Sequence, residues 1–245
     1  MESAEGGLRI NKFLARCGAG SRRQVERLVL DGRVTADGET VRDLSFRVEP
    51  GVVVRLDGRR LELPARARVV LFHKPVRVLC SAKDPHGRRT IYDVLPPELS
   101  AFRYVGRLDW ETRGLLLLTD DGDLANRLTH PRHEIPKIYE VSLTAPPSEK
   151  QLRALTAPME LDGYSLLPVG LRRLSADKLE LTLWEGRNRQ IRRMCEAVGL
   201  NILRLCRVAV GEIRLGDLPA GKWRELTEQE VEYLKSSPKP KESET

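Results

Sequence analysis

No stretch of this chain approaches the ~18 consecutive apolar residues of a membrane span, and Met1-Glu-Ser-Ala-Glu is polar and acidic, unlike a secretory signal. A cytoplasmic protein with no membrane segment is therefore expected. Cysteine is scarce: Cys17, Cys80, Cys195 and Cys206 are widely spaced, with no Cys-x-x-Cys pair. Histidine is as rare and as scattered, at His73, His86, His130 and His133. The His130-Pro-Arg-His133 pair has no third ligand nearby, so it reads as a surface loop and no metal site is expected. Buried or half-buried thiols are the expectation for the cysteines. There is neither a Walker loop nor a Gly-x-Gly-x-x-Gly turn, so nothing invites a nucleotide cofactor. No internal repeat is present.

What the chain does have is length, core and positive charge. Its 245 residues suit one large or two modest domains, and 40% hydrophobic residues provide ample core. A net charge of +7 and a pI near 9.4 accompany 31% charged residues. Both signs are plentiful, so the basic excess matters only where it clusters, and an anionic polymer is the natural partner.

The clusters appear in chain order. Ile10, Phe13, Leu14 and Cys17 fall on one face of a helix that Gly18 ends. Ser21 with Gln24 makes a capping box for a second helix bearing Val25, Leu28 and Val29, stopped by Gly32. The outward positions of this pair hold Arg9, Lys12, Arg16, Arg22, Arg23 and Arg27 against the acid Glu26, a pattern suited to tracking phosphates. Strands around an Asp37-Gly38 hairpin turn and a second Asp57-Gly58 turn come next. Pro64 to Arg68 has no periodic apolar face and reads as a linker.

A new domain opens with the strand from Val69, then His73-Lys74-Pro75, a basic loop and a short helix over Ile91 to Leu95. The stretch Arg103 to Gly122 organises this domain. Leu115 to Leu118 is too short for a buried helix and is flanked by turn residues, so it reads as a central strand covered on both faces. Asp109 lies just before it, where a loop can present a carboxylate beside a rigid floor. Asp123 is a candidate cap for a helix carrying Leu124 and Leu128, ended by His130-Pro131. Strands are expected at Ile138 to Leu143, Pro168 to Leu174, Lys178 to Trp184 and Asn201 to Val210. Helices are capped by Ser148 with Gln151 and by Thr227 with Glu230. Ile191, Met194, Cys195 and Val198 form a helical stripe closed by Gly199. Arg187, Arg189, Arg192 and Arg193 crowd the start of that helix against its macrodipole, which calls for an anion from elsewhere, either RNA phosphate or a carboxylate such as Asp109.

Two resemblances emerge from these residues. Arg9-Ile-Asn-Lys-Phe-Leu-Ala-Arg-Cys-Gly, Ser21-Arg-Arg and the Gly32-Arg-Val-Thr-Ala-Asp-Gly turn resemble the S4 domain of RNA-binding proteins. Gly106-Arg-Leu-Asp109-x-x-Thr112-x-Gly114 with its leucine run, Lys137-x-Tyr139, and Glu185-Gly-Arg-x-x-Gln-Ile-Arg192-Arg-Met resemble the pseudouridine synthases that modify bacterial ribosomal RNA, nearest to members acting on the large subunit. That likeness implies that Asp109 attacks a target uridine, whose base leaves the sugar through N1, turns and rejoins through C5. Attack at base C6 and a path through sugar C1′ both stay open. It implies that Tyr139 packs against the extruded base, that Arg192 pairs with the Asp109 carboxylate, and that Arg107 helps hold the flipped-out RNA. Lys74, Arg187 and Arg189 join the helix-pair cations as RNA contacts. His73-Lys74-Pro75-Val76-Arg77 departs from the family's Asn-Lys-Pro-x-Gly, which implies an altered turn or an added phosphate contact.

The expected fold is α+β: a small S4-like helix-hairpin and strand module over residues 8–63, a linker over 64–68, and a larger, mainly antiparallel sheet domain with flanking helices over 69–235. Residues 1–7 are expected to be a flexible N-terminus, and 236–245, short of apolar side chains, a disordered tail. The expected partner is ribosomal RNA, large-subunit first, then small-subunit, then tRNA. The expected enzyme is a monomer without metal or cofactor. A non-catalytic ribosome-assembly RNA binder is the alternative of another class. A carboxylate glycosidase fails for want of a second acid.

Overall fold

The computed structural model describes residues 7–64, 66–129 and 135–236. The chain divides into two compact units between Arg68 and Val69, with Asp120–Gly122 grouped with the first.

In the first unit, β1 (Leu8–Arg9) leads into α1 (Ile10–Arg16), and α2 (Arg22–Leu30) comes after it. The capping box forms as expected: Gln24 N–H donates to Ser21 Oγ and Ser21 N–H donates to Gln24 Oε1 at 2.8 Å. Ile10, Phe13, Leu14, Val25 and Val29 share one buried cluster with Val34 and Val54. That cluster seats the helices on β2 (Val34–Ala36), β3 (Glu39–Thr40), β5 (Val54–Leu56) and β6 (Arg59–Arg60), with β4 (Arg47–Val48) paired to β1. At the Asp37-Gly38 and Asp57-Gly58 turns both residues take positive φ, the backbone that tight hairpins require.

The second unit is built on β7 (Val69–Lys74), β8 (Arg103–Val105), β9 (Arg113–Thr119), β10 (Lys137–Leu143), β11 (Glu160–Leu161), β12 (Tyr164–Ser165), β13 (Gly170–Arg173), β14 (Lys178–Leu183), β15 (Ile202–Val210), β16 (Ile213–Arg214) and β17 (Trp223–Glu225). Its helices are α3 (Gly122–Thr129), α4 (Glu149–Thr156), α5 (Gln190–Ala197) and α6 (Glu228–Ser236). Among the described residues nine strands form one sheet in the order β13-β14-β10-β15-β9-β7-β17, with β8 on β9 and β16 on β15. The β9 to β15 contact is parallel and the other pairings are antiparallel.

The leucine run is buried on both faces. Leu115 and Leu117 join Val69, Leu71 and residues of α3 and α6, whereas Leu116 and Leu118 join Val70, Phe72, Ile91 and Leu99. Each such side chain contributes roughly 1.5–3 kcal/mol, which makes β9 the rigid floor of the unit. A third cluster packs α4 and α5 against β10 and β14 through Leu155, Ile191, Met194, Val141 and Leu181.

Several expectations need revision. The Ile91 to Leu95 helix is instead a pair of 3-10 turns, Ile91–Asp93 and Pro97–Leu99, because Pro96 and Pro97 interrupt the run. Asp123 sits within the first turn of α3 rather than capping it, since the helix already begins at Gly122. The β11–β12 hairpin was not anticipated. The His130–Pro131 stop and the His130/His133 loop lie outside the described residues. Cys17 and Cys80 are half-buried thiols, Cys195 and Cys206 buried ones, and burial pushes Cys195 up to about 12.

Candidate active site

A cleft of about 420 Å³ opens in the second unit, large enough for a small ligand. Its walls carry Asp109, Tyr139 and Arg192 together with Arg107, Arg187 and Arg189. The chain thus brings six of its candidate residues from three separated motifs into one concavity. Arg9, Arg22, Arg23 and Arg27 are exposed on the first unit, with Lys12 and Arg16 half-buried there.

Asp109 occupies the turn between β8 and β9. Thr112 N–H donates to the Asp109 carbonyl at 3.1 Å, closing the turn. Beneath it lies Lys74, fully buried, whose Nζ donates to the carbonyls of Pro75 (2.9 Å), Asp109 (3.1 Å) and Thr112 (2.8 Å). Lys74 therefore does not reach RNA, contrary to the expectation for it. At the end of β7 it points into the protein and holds the turn that bears Asp109. Burial pushes its pKa down to about 8, and three carbonyls that need three N–H donors favour the ammonium form against that pull.

The departure at Arg77 leaves a glycine-type turn in place. Its φ is +60°, a left-handed conformation that costs a non-glycine residue roughly 1–2 kcal/mol, and its N–H donates to the Trp110 carbonyl at 2.7 Å. The altered turn is not needed, and the arginine side chain stays exposed.

Tyr139 reaches the cleft from β10. Ile138 pairs with Ala209 but Tyr139 with Arg207, so Val208 is an extra residue in β15, a bulge of the kind that re-aims side chains beside active sites. Lys137, two residues earlier, lines the same cleft. Burial, and then the Arg207 cation, push its pKa down to about 8.

Arg207 itself was missed by sequence reasoning. It is buried, lines the cleft, and its Nε donates to the Leu115 carbonyl at 2.7 Å. A cation within the otherwise apolar Leu205–Val210 run was the signal, since buried charge is the informative exception in a core strand. Gly114 permits this packing. A Cβ there would stand 2.3 Å from the Arg207 carbonyl oxygen, and its φ is +115°.

The arginines at the start of α5 do find anions, but others than expected. Arg192 Nη2 donates to the Glu111 carbonyl at 3.0 Å, and its Nε stands 3.8 Å from the Glu111 carboxylate. Arg189 Nη1 meets the same carboxylate at 3.1 Å. Arg187 pairs with Glu185 at 3.1 Å, and Arg193 makes a bidentate pair with Asp162. Among the described residues Arg192 forms no ion pair with Asp109. Glu111, two residues further along the same turn, offers both a carbonyl and a carboxylate to α5 and takes that place. Arg192 Nε and Thr112 Oγ1, on residues of the cleft wall, are buried without a hydrogen-bond partner among the described residues.

A carboxylate on a fixed turn, an aromatic ring and a rim of cations share one concavity, a set whose charge suits an anionic ligand. Comparison with known proteins agrees. The RNA pseudouridylate synthase family pattern matches residues 68–197 and the S4 domain pattern residues 8–62. The chain belongs to the RNA pseudouridine synthase family and carries an S4 RNA-binding domain. It is 40% identical to an uncharacterized RNA pseudouridine synthase of Aquifex aeolicus (strain VF5), covering 93% of both chains. It is 41% identical to the ribosomal large subunit pseudouridine synthase B of Escherichia coli (strain K12), over 93% of this chain and 82% of that one. A solved pseudouridylate synthase superposes with a TM-score of 0.66 at 31% identity, covering 93% of this chain and 100% of that one.

Proposed function

We propose that this RNA pseudouridine synthase isomerises a uridine of large-subunit ribosomal RNA, with Asp109 as the nucleophile. The observation that carries the assignment is the placement of the Asp109 turn, locked from below by Lys74, in the same cleft wall system as Tyr139. The choice of large-subunit RNA rests on relatives that bear that name at 41% identity.

The reaction breaks the N1 to C1′ bond and forms a C5 to C1′ bond. The proton lost from C5 is balanced by one gained at N1, so no redox partner enters. The departing uracil carries negative charge, and the Lys137 and Arg207 cations beside the cleft stabilise it without reorganising. The Tyr139 ring gives the turning base an apolar face in place of the stacking it lost. Arg107, Arg187 and Arg189 at the cleft meet backbone phosphates, and the α1–α2 cations of the S4 unit offer phosphate contacts of their own.

Pseudouridine maps of ribosomal RNA from cells with and without the protein test the target. Loss of one large-subunit pseudouridine is the expected result. An unchanged large-subunit map, or loss confined to small-subunit RNA or tRNA, would contradict it.

A further inference from the structure

Among the described residues Tyr164 is the one exposed Phe, Trp or Tyr, 57% of it open to solvent. The ring is also held in place. Asp162 and Gly163 form a two-residue turn with φ of +54° and +74°, joining β11 to β12 and setting Leu161 opposite Tyr164. Leu161 and Leu166 pack on the buried cluster beneath α5, and the bidentate Arg193–Asp162 pair, at 2.6 Å for each bond, ties the turn to that helix.

One face of the ring is taken. The Arg187 guanidinium carbon stands 4.5 Å from the ring centroid, and its Nε is fixed by Glu185, whose other oxygen accepts from Leu167 N–H and Gln190 Nε2. Arg187 lines the cleft that contains Asp109. A rigid, flat, partly exposed ring backed by a planar cation at the edge of the cleft is the kind of surface on which a nucleobase stacks.

We propose that Tyr164, backed by Arg187, is a stacking platform for a nucleobase neighbouring the extruded uridine. The proposal rests on the reading that RNA enters at Asp109. The platform replaces the stacking partner that the flanking base loses when the uridine leaves the helix, and it favours any base over none, since every base has a stacking face.

The test uses full-length protein and an unmodified transcript of large-subunit ribosomal RNA, measuring transcript affinity and pseudouridine formation for Tyr164→Leu and Tyr164→Phe. Tyr164→Leu is expected to weaken affinity and raise KM roughly tenfold, the loss of one stacked base, with kcat and melting temperature unchanged. Tyr164→Phe keeps the ring and is expected to match wild type. Affinity and KM of Tyr164→Leu within twofold of wild type would overturn the platform, including the case in which the ring serves a protein partner. Wild-type protein that leaves the transcript unmodified, while Tyr164→Leu still loses affinity, would sink the target assigned above and leave the platform standing.

Discussion

Two lysines under and beside the cleft do different work, and substitution separates them. Lys74→Met keeps the buried bulk but removes the donor to three carbonyls, leaving part of the Asp109 turn unpaired. The expected cost is roughly 2–4 kcal/mol of stability by denaturant unfolding, with a fall in kcat and little change in RNA affinity. Loss of affinity with intact kcat would return Lys74 to the phosphate-contact role that its sequence context suggested. Lys137 is predicted to set a pH limb. Its pKa lies at about 8, below the ordinary 10.5, so its charge is complete below that value and disappears as pH rises through it. We expect kcat/KM to fall above about pH 8, and Lys137→Met to lower the plateau and shrink that limb, the remainder belonging to Lys74, whose pKa also lies at about 8. The folding linkage has the opposite sign. Between about pH 8 and 10.5 the unfolded chain binds the extra proton, so the contribution of Lys137 to stability increases with pH there. A wild-type profile with no change through pH 8 would exclude Lys137 from the charge environment of the reaction.

At the level of elements, the parallel contact of β9 with β15 leaves no room for a side chain at Gly114. Gly114→Ala would drive a methyl group to 2.3 Å from the Arg207 carbonyl at a φ that suits only glycine. It is expected to cost about 3 kcal/mol or more in thermal unfolding, and to displace Arg207 and the Asp109 turn together. Much of this architecture was legible in the sequence. The leucine run, the three capping boxes and the Asp-Gly turns at 37 and 57 each encode local geometry, and local geometry is what a pattern of residues specifies. The β11–β12 hairpin carries the same Asp-Gly signature at 162–163, with Met159, Leu161, Tyr164 and Leu166 alternating with Glu160 and Ser165, so its signal too lies in the sequence, in strands of only two residues each. Arg207 carried a signal as the cation in an apolar run, but the inward turn of Lys74 was not legible, because which way a charged side chain points at a strand end depends on the carbonyls that other segments bring to it. The same reason explains Arg192. Motif spacing brings it to the cleft, but only the folded turn shows that Glu111 intercepts it.

Across the whole molecule, charge is divided between an S4 unit with exposed Arg9, Arg22, Arg23 and Arg27 and a synthase unit whose cations ring a cleft. Joint replacement of Arg22 and Arg23 by Ala should weaken RNA binding and shallow its dependence on log salt by roughly 1.5 units, the share of two phosphate contacts, while leaving kcat at saturating RNA unchanged. A salt slope equal to wild type would remove those arginines from the RNA surface. Among the described residues no helix is long and apolar enough to cross a membrane. Underlying every other claim is that one carboxylate, on the turn before β9, performs the chemistry. The direct measurement is pseudouridine formed in ribosomal RNA by Asp109→Asn, with RNA affinity followed in parallel. No detectable product with wild-type affinity is the predicted result, and turnover retained by the asparagine variant would contradict the assignment of Asp109.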